Sequence, residues 1–385
     1  MRSTPLAFGL AAALLAGPAL AADFWRRIDN PAPVTGLDGK PHAATCSGYP
    51  GTNAEFTFWA RRGKVDKLVV YFEGGGACWD DLTCTFPADP RRPDTVPQFY
   101  NPSIRAGSAP RNVPGLFDET NPDNPTKDWS FVYIPYCTGD VHVGSADRTY
   151  NNAGWPTLPA SFQIHHRGFD NFMVVLDWIS KNVKAPQQVL VTGVSAGGYG
   201  AAANAPWVAK LFPSAQFSVL ADASQGVTTP NWYASTPGYG SWNAQLAPWV
   251  FGPPGTTAPG DFVRAGARAY PGGRFAQYTT NTDATQIGFY SVMTQFYGPG
   301  GSCADPAADW NQQMLATLGS YTGELANFRS YVAPGTTHTI LRSADFYTTP
   351  AWGPSVAGWL TNQLGGAPAW ANAACPDCLA PLPCP

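Results

Sequence analysis

Residues 188–200 read Gln-Val-Leu-Val-Thr-Gly-Val-Ser-Ala-Gly-Gly-Tyr-Gly. An apolar, β-branched run passes through a glycine-flanked serine into a stretch of small residues. This order restricts the fold more than any other segment. The run Gln188–Thr192 predicts a buried strand, and the small-residue stretch from about Ala196 to Phe212 predicts a helix. Joining them through Gly193-Val-Ser-Ala-Gly197 requires a tight strand–turn–helix corner that lifts the Ser195 hydroxyl above a sheet. The helix N-terminus behind it favours negative charge at that point.

The rest of the chain repeats the alternation of strand and helix. Lys67–Phe72, Trp129–Ile134, Phe217–Ala221 and Phe328–Val332 read as strands. Phe169, Phe172, Met173, Leu176 and Ile179 fall at helical spacing, so Arg167 to Val183 predicts an amphipathic helix. A final helix is expected after Ser355 as its cap. The pattern implies α/β layers around a mostly parallel central sheet flanked by helices. With 40 Gly and 38 Pro, long Pro/Gly-rich loop insertions are expected at roughly 84–127, 225–275 and 296–306. Loops of that length often carry binding surfaces or lids.

Residues 1–21 have the form of a signal peptide, with Arg2, an apolar run from Leu6 to Leu15 and Ala19-Leu-Ala21 at the cleavage position. The mature chain is then expected to start near Ala22, with one catalytic domain over 22–364 and a Cys-rich tail over 365–385. The segment suits export, to the periplasm or the medium. No later run is long and apolar enough to predict a membrane span. Eight cysteines fit an oxidising destination and read first as disulfides. Cys78 and Cys84 are close enough in sequence to close a small loop. The pattern does not choose among pairings of Cys46, Cys137, Cys303, Cys375, Cys378 and Cys384. Cys375-Pro-Asp-Cys378 lacks a second CxxC or a nearby His, so disulfide bonding is expected there before metal binding.

A serine at neutral pH needs an adjacent base. The order Ser, acid, His expected of this strand–turn–helix class puts the base downstream of the nucleophile. Of the five histidines only His338 follows Ser195. For the acid, Asp222, Asp261, Asp283, Asp305, Asp309 and Glu324 all lie between them, and position alone separates neither Asp222 nor Asp283 from the other. An oxyanion hole needs backbone N–H groups. Ala196, just after the serine, and the Gly74-Gly75-Gly76-Ala77 loop after the Lys67–Phe72 strand are the candidates.

Taken together, Phe72-Glu-Gly-Gly-Gly-Ala-Cys-Trp79, Pro135-Tyr-Cys-Thr-Gly-Asp140, His166-Arg-Gly168, Gly193-Val-Ser-Ala-Gly197 and Asp283-x-x-Gln286 resemble the pectin acetylesterase family, in the same order over roughly residues 65–345. The resemblance implies an α/β-hydrolase fold and hydrolysis of carboxylic esters. It implies a catalytic triad of Ser195, Asp283 and His338, since the family's acid stands in a D-x-x-Q pattern. It also implies an oxyanion hole of Gly75, Gly76 and Ala196, and a Cys78–Cys84 bridge. Thr138-Gly139-Asp140 and the Gly-Thr-Thr-His-Thr context of His338 depart from the plant members, a difference that bears on the substrate more than on the chemistry.

Charged residues are 13% of the chain and the net charge is −3, so no basic surface for nucleic acid is expected. No cofactor and no metal are expected; the adjacent side chains of His165 and His166 diverge too far to ligate one ion with Asp140 and His142. A monomer is expected. The expected partner is an ester substrate such as an acetylated polysaccharide. The alternatives are an esterase or depolymerase for longer acyl esters or polyesters and, from a different class, a catalytically dead secreted binding protein.

Overall fold

The computed structural model describes residues 25–384 apart from 90, 93–95, 105–107, 112 and 153. The expected signal peptide lies outside the described residues. The chain runs through β1 (Arg26–Asp29), β2 (Val34–Thr35), β3 (Pro41–His42), β4 (Thr57–Arg61), β5 (Lys67–Phe72), α1 (Asp81–Thr85) and β6 (Ser130–Ile134). A hairpin of β7 (Ala146–Asn151) and β8 (Ser161–His166) leads into α2 (Gly168–Asn182), β9 (Gln188–Val194), α3 (Ala196–Leu211) and β10 (Gln216–Asp222). Three short helices, α4 (Pro230–Ala234), α5 (Pro248–Phe251) and α6 (Phe262–Ala269), precede β11 (Arg274–Thr280), α7 (Ala284–Tyr297), α8 (Pro306–Glu324), β12 (Phe328–Ala333), α9 (Val356–Gly365) and β13 (Ala373–Ala374).

Among the described residues, nine strands form one sheet in the order β1-β4-β6-β5-β9-β10-β11-β12-β13. Pairing is antiparallel at β1/β4 and β4/β6 and parallel from β6 through β13. This is the expected α/β-hydrolase-like architecture. The parallel strands are covered on both faces. Leu68, Val70 and Phe72 point into one core with Phe172, Val191 and Val208. Val69 and Tyr71 point into the other with Leu190, Leu220 and Trp359. Burial on both faces explains why these strands read as continuous apolar runs without alternation.

After β5 the chain first adds β6 on one side and then crosses to β9 on the other. The strand order therefore reverses between β5 and β9, and the crevice beyond their carboxyl ends is where ligands bind in open α/β sheets. The glycine loop follows β5 and Ser195 follows β9, so both sequence motifs meet at this point.

The expected loop at 225–275 is only partly irregular, since it contains α4, α5 and α6. Pro230 and Pro248 open α4 and α5 at the first helical position, where a missing N–H costs nothing. Four disulfides join Cys46–Cys137, Cys78–Cys84, Cys303–Cys384 and Cys375–Cys378. Cys303–Cys384 ties the Cys-rich tail to the segment before α8, and the tail adds β13 to the sheet edge beside β12. Among the described residues no helix is long and apolar enough to cross a membrane.

Candidate active site

Ser195 takes φ 56° and ψ −126°, a left-handed backbone that non-glycine residues adopt only where the surroundings enforce it. Here the enforcement comes from packing against β5. A Cβ on Gly197 would sit 2.0 Å from the Phe72 carbonyl oxygen, so only glycine allows the corner to close. The Ser195 N–H donates to the Asp222 carbonyl at 2.7 Å, which ties the corner to β10. Ala196 begins α3 directly behind it.

His338 lies in the loop after β12. Its Nδ1–H donates to the Asp283 carboxylate, 2.9 Å from Oδ1 and 2.8 Å from Oδ2. That leaves Nε2 as the acceptor nitrogen. Nε2 is buried with no partner among the described residues, and His338 lines the same cavity as Ser195. Asp283 is fully buried and is held on all sides. It caps α7, its Oδ1 accepting the N–H groups of Thr285 at 3.1 Å and Gln286 at 3.0 Å. Its Oδ2 accepts the Gln286 side-chain amide at 3.0 Å. Gln286 is in turn locked to Gln225, donating to its Oε1 at 2.8 Å and accepting its N–H at 2.9 Å. The D-x-x-Q pattern is thus a helix cap whose fourth residue reaches back to orient the carboxylate. Gln225 was not legible as part of the site; it follows β10, 61 residues before its partner.

Asp222, the other sequence candidate, serves a different group. It is buried, and its Oδ2 accepts the N–H of Ile340 at 2.8 Å and of Leu341 at 2.9 Å. It grips the backbone just beyond His338 and leaves the ring to Asp283. Burial raises its carboxyl to a pKa of about 7.

The glycine loop borders the same space. Gly76 has φ +79°, and a Cβ there would meet the Phe99 carbonyl at 2.0 Å. The loop is pinned by the Asn101 N–H on the Gly75 carbonyl at 2.8 Å and the Ala77 N–H on the Phe99 carbonyl at 3.0 Å. Neither bond uses the N–H of Gly75 or Gly76. Gly76 and Ala196 line the Ser195 cavity, whereas Gly75 lines the adjoining groove. The cavity has a volume of about 70 Å³, and its walls include Trp79, Trp232, Trp242, Phe289, Met293 and Trp310.

A family model for pectinacetylesterases matches residues 34–231. The chain belongs to the pectinacetylesterase family. The matched span takes in the glycine loop and Ser195. Asp283 and His338 lie beyond it, so their pairing rests on the geometry above. Among curated relatives, the palmitoleoyl-protein carboxylesterase notum1' of Xenopus laevis is 24% identical over 246 residues, 63% of this chain and 44% of that protein. The carboxylesterase NOTUM of Schmidtea mediterranea is 28% identical over 141 residues, 36% of this chain and 23% of the relative. The mouse NOTUM carboxylesterase is 27% identical over 169 residues, 41% and 29%. The matches span less than half the length of these relatives.

Two further pectinacetylesterase signatures, around Asp140 and His166, form a buried scaffold beneath the glycine loop. Asp140 accepts from the Thr138 hydroxyl at 2.6 Å, the His142 N–H at 3.1 Å and the Gly168 N–H at 2.7 Å. His142 Nε2–H donates to the Glu73 carbonyl at 2.8 Å. His166 donates from Nδ1 to the Thr138 carbonyl at 2.9 Å and accepts the Tyr150 hydroxyl at Nε2, 2.8 Å away. Burial lowers both imidazoles to a pKa of about 4. His166 also lies near Cys78 and Cys84, but those sulfurs are bonded to each other.

Proposed function

We propose that this chain hydrolyses carboxylic esters through an acyl-enzyme on Ser195. The observation that carries the reading is the His338 imidazole, gripped at Nδ1 by Asp283 with its Nε2 buried and without a partner among the described residues, in a side chain that lines the cavity of Ser195. In the proposed reaction Nε2 takes the Ser195 hydroxyl proton as Oγ attacks the ester carbonyl. The oxyanion rests on backbone N–H groups of Gly75, Gly76 and Ala196. The bond to the alcohol breaks and the alcohol leaves with the proton from Nε2. Water then attacks the acyl-enzyme by the same route, releasing the carboxylic acid and restoring Ser195. Asp283 fixes the tautomer and stabilises the imidazolium.

The family name points to a short acyl group, as on an acetylated polysaccharide. The walls beside Ser195 are mainly apolar and suit the methyl of an acetyl group. The named activity of the notum relatives is on palmitoleoyl groups, and acyl length is what the ester series below decides. The leader expected at residues 1–21 and the four disulfides support a catalytic unit over 22–364 that works after export.

The test has two parts. Ser195→Ala should fold normally and lose several orders of magnitude in turnover; retained turnover would overturn the mechanism. A series of p-nitrophenyl esters, run beside acetate release from acetylated xylan and pectin, should favour the shortest acyl groups. Preference for long chains would shift the reading to the esterase or depolymerase class.

A further inference from the structure

Glu73 touches all three parts of the proposed catalytic assembly. It stands between β5 and Gly74-Gly75-Gly76. Its N–H donates to the Ile134 carbonyl at 2.9 Å, and its carbonyl accepts His142 Nε2–H at 2.8 Å. That same carbonyl oxygen is 2.7 Å from where a Cβ on Gly197 would stand, so Glu73 abuts the elbow of Ser195. Its side chain is buried. One carboxylate oxygen accepts the Tyr136 N–H at 3.2 Å, and the other pairs with the Arg342 guanidinium at 3.2 Å.

Arg342 belongs to the loop that carries His338. Its guanidinium also donates to the Tyr133 hydroxyl at 3.1 Å and lies over the Phe117 ring, 5.9 Å from its centroid. Between His338 and Arg342, Thr339 has φ 67°, a backbone that a β-branched residue adopts only under constraint. Asp222 clamps the N–H groups of Ile340 and Leu341. The loop is held along its length, and the Arg342 contact is the one that reaches across to the residue opening the glycine loop.

We propose that the Glu73–Arg342 ion pair is a positioning device that keeps the base loop in register with the oxyanion loop. Neither side chain touches the reacting atoms, and the proposal rests on the triad reading above. Stability alone gives weak reason for such a pair, because buried ion pairs return little net free energy after desolvation. Register matters far more, since misplacement of a catalytic group by about 1 Å costs roughly 100-fold in rate.

The experiment compares Glu73→Gln, Arg342→Met, Arg342→Lys and the double variant Glu73→Gln/Arg342→Met with the parent. It reads kcat on p-nitrophenyl acetate, the rate of fluorophosphonate labelling at Ser195, and Tm. Glu73→Gln and Arg342→Met should each lower kcat by about 10- to 100-fold, with labelling slowed in parallel. Arg342→Lys should recover part of the loss. The double variant should be no slower than the slower single, as expected of one coupled unit. It leaves no unpaired buried charge, so it supplies the answer if a single variant fails to fold. Folded variants with parent kcat and labelling rate, or losses that multiply in the double, overturn the proposal. Ser195→Ala in the same assay separates the two readings. Activity there sinks the triad; an inactive Ser195→Ala beside fully active pair variants sinks the positioning role alone.

Discussion

Asp222 holds the backbone of Leu341 at 2.9 Å, a short step along the loop from the histidine whose ring Asp283 holds at 2.8 Å. Two buried carboxylates thus serve one loop in different ways. A triad acid must fix the imidazole tautomer, and of the two carboxylates it is Asp283 that bonds the ring. Asp283→Asn should retain the cap of α7 and lose about 10³- to 10⁴-fold in kcat. Asp222→Asn keeps a carbonyl oxygen for the two N–H groups and should lose less than about 10-fold, with Tm reduced. Steady-state kinetics of the two variants decide the assignment, and equal losses would contradict it.

In the proposed reaction the acyl group occupies the cavity beside Ser195. Met293 lines the cavity and is nearly buried, so Met293→Ala lengthens the space without touching the triad. The ratio of hexanoate to acetate turnover should rise by about 10-fold or more, since one methylene in an apolar pocket is worth about 1–3 kcal/mol. An unchanged ratio would mean that the acyl group sits elsewhere.

The buried histidines give stability a pH dependence. Both His142 and His166 titrate at about 4 in the fold, below the ordinary 6.5. Between those values the unfolded chain binds protons that the folded chain refuses. Their contribution is therefore complete above pH 6.5 and is lost as the pH falls towards 4. Asp140 and Asp222, raised by burial to about 6 and about 7, work in the opposite direction and stabilise less as the pH rises through the same window. Comparing His166→Gln with the parent isolates one histidine. The gap between their urea midpoints should narrow from pH 7 to pH 4.5, and a constant gap would refute the shift.

The Cys303–Cys384 bridge closes a separation of 81 residues and ties the tail to the start of α8. Replacing both cysteines by serine should cost about 2–4 kcal/mol of stability while leaving kcat near the parent value, because neither residue borders the cavity. Chemical denaturation and the p-nitrophenyl acetate assay test both halves of that statement.

The serine corner was the most legible part of the site because every determinant is local: a strand, a turn and a helix within about a dozen residues. His338 was legible by elimination. Asp283 was not separable from Asp222 by position, since both are buried and their distinct partners lie 55 and 118 residues away. Only the resemblance chose between them. β11 escaped notice for a physical reason. It carries Gln277, Thr279 and Thr280 in buried positions, donating to the carbonyls of Ser224, Thr280 and Thr337 respectively, and these polar residues break up the apolar run of Phe275, Ala276 and Tyr278. α4 and α5 were hidden by the prolines that open them, because a proline punctuates a loop as readily as it opens a helix.

The cavity walls carry an optical consequence. Four of the 14 tryptophans in the chain, Trp79, Trp232, Trp242 and Trp310, stand around the space beside Ser195. An acyl group that enters displaces whatever surrounds those indoles and changes the polarity they report. Under the proposed mechanism the chain carries its own fluorescent indicator of occupancy, and the lifetime of the proposed acyl intermediate becomes measurable on unlabelled protein.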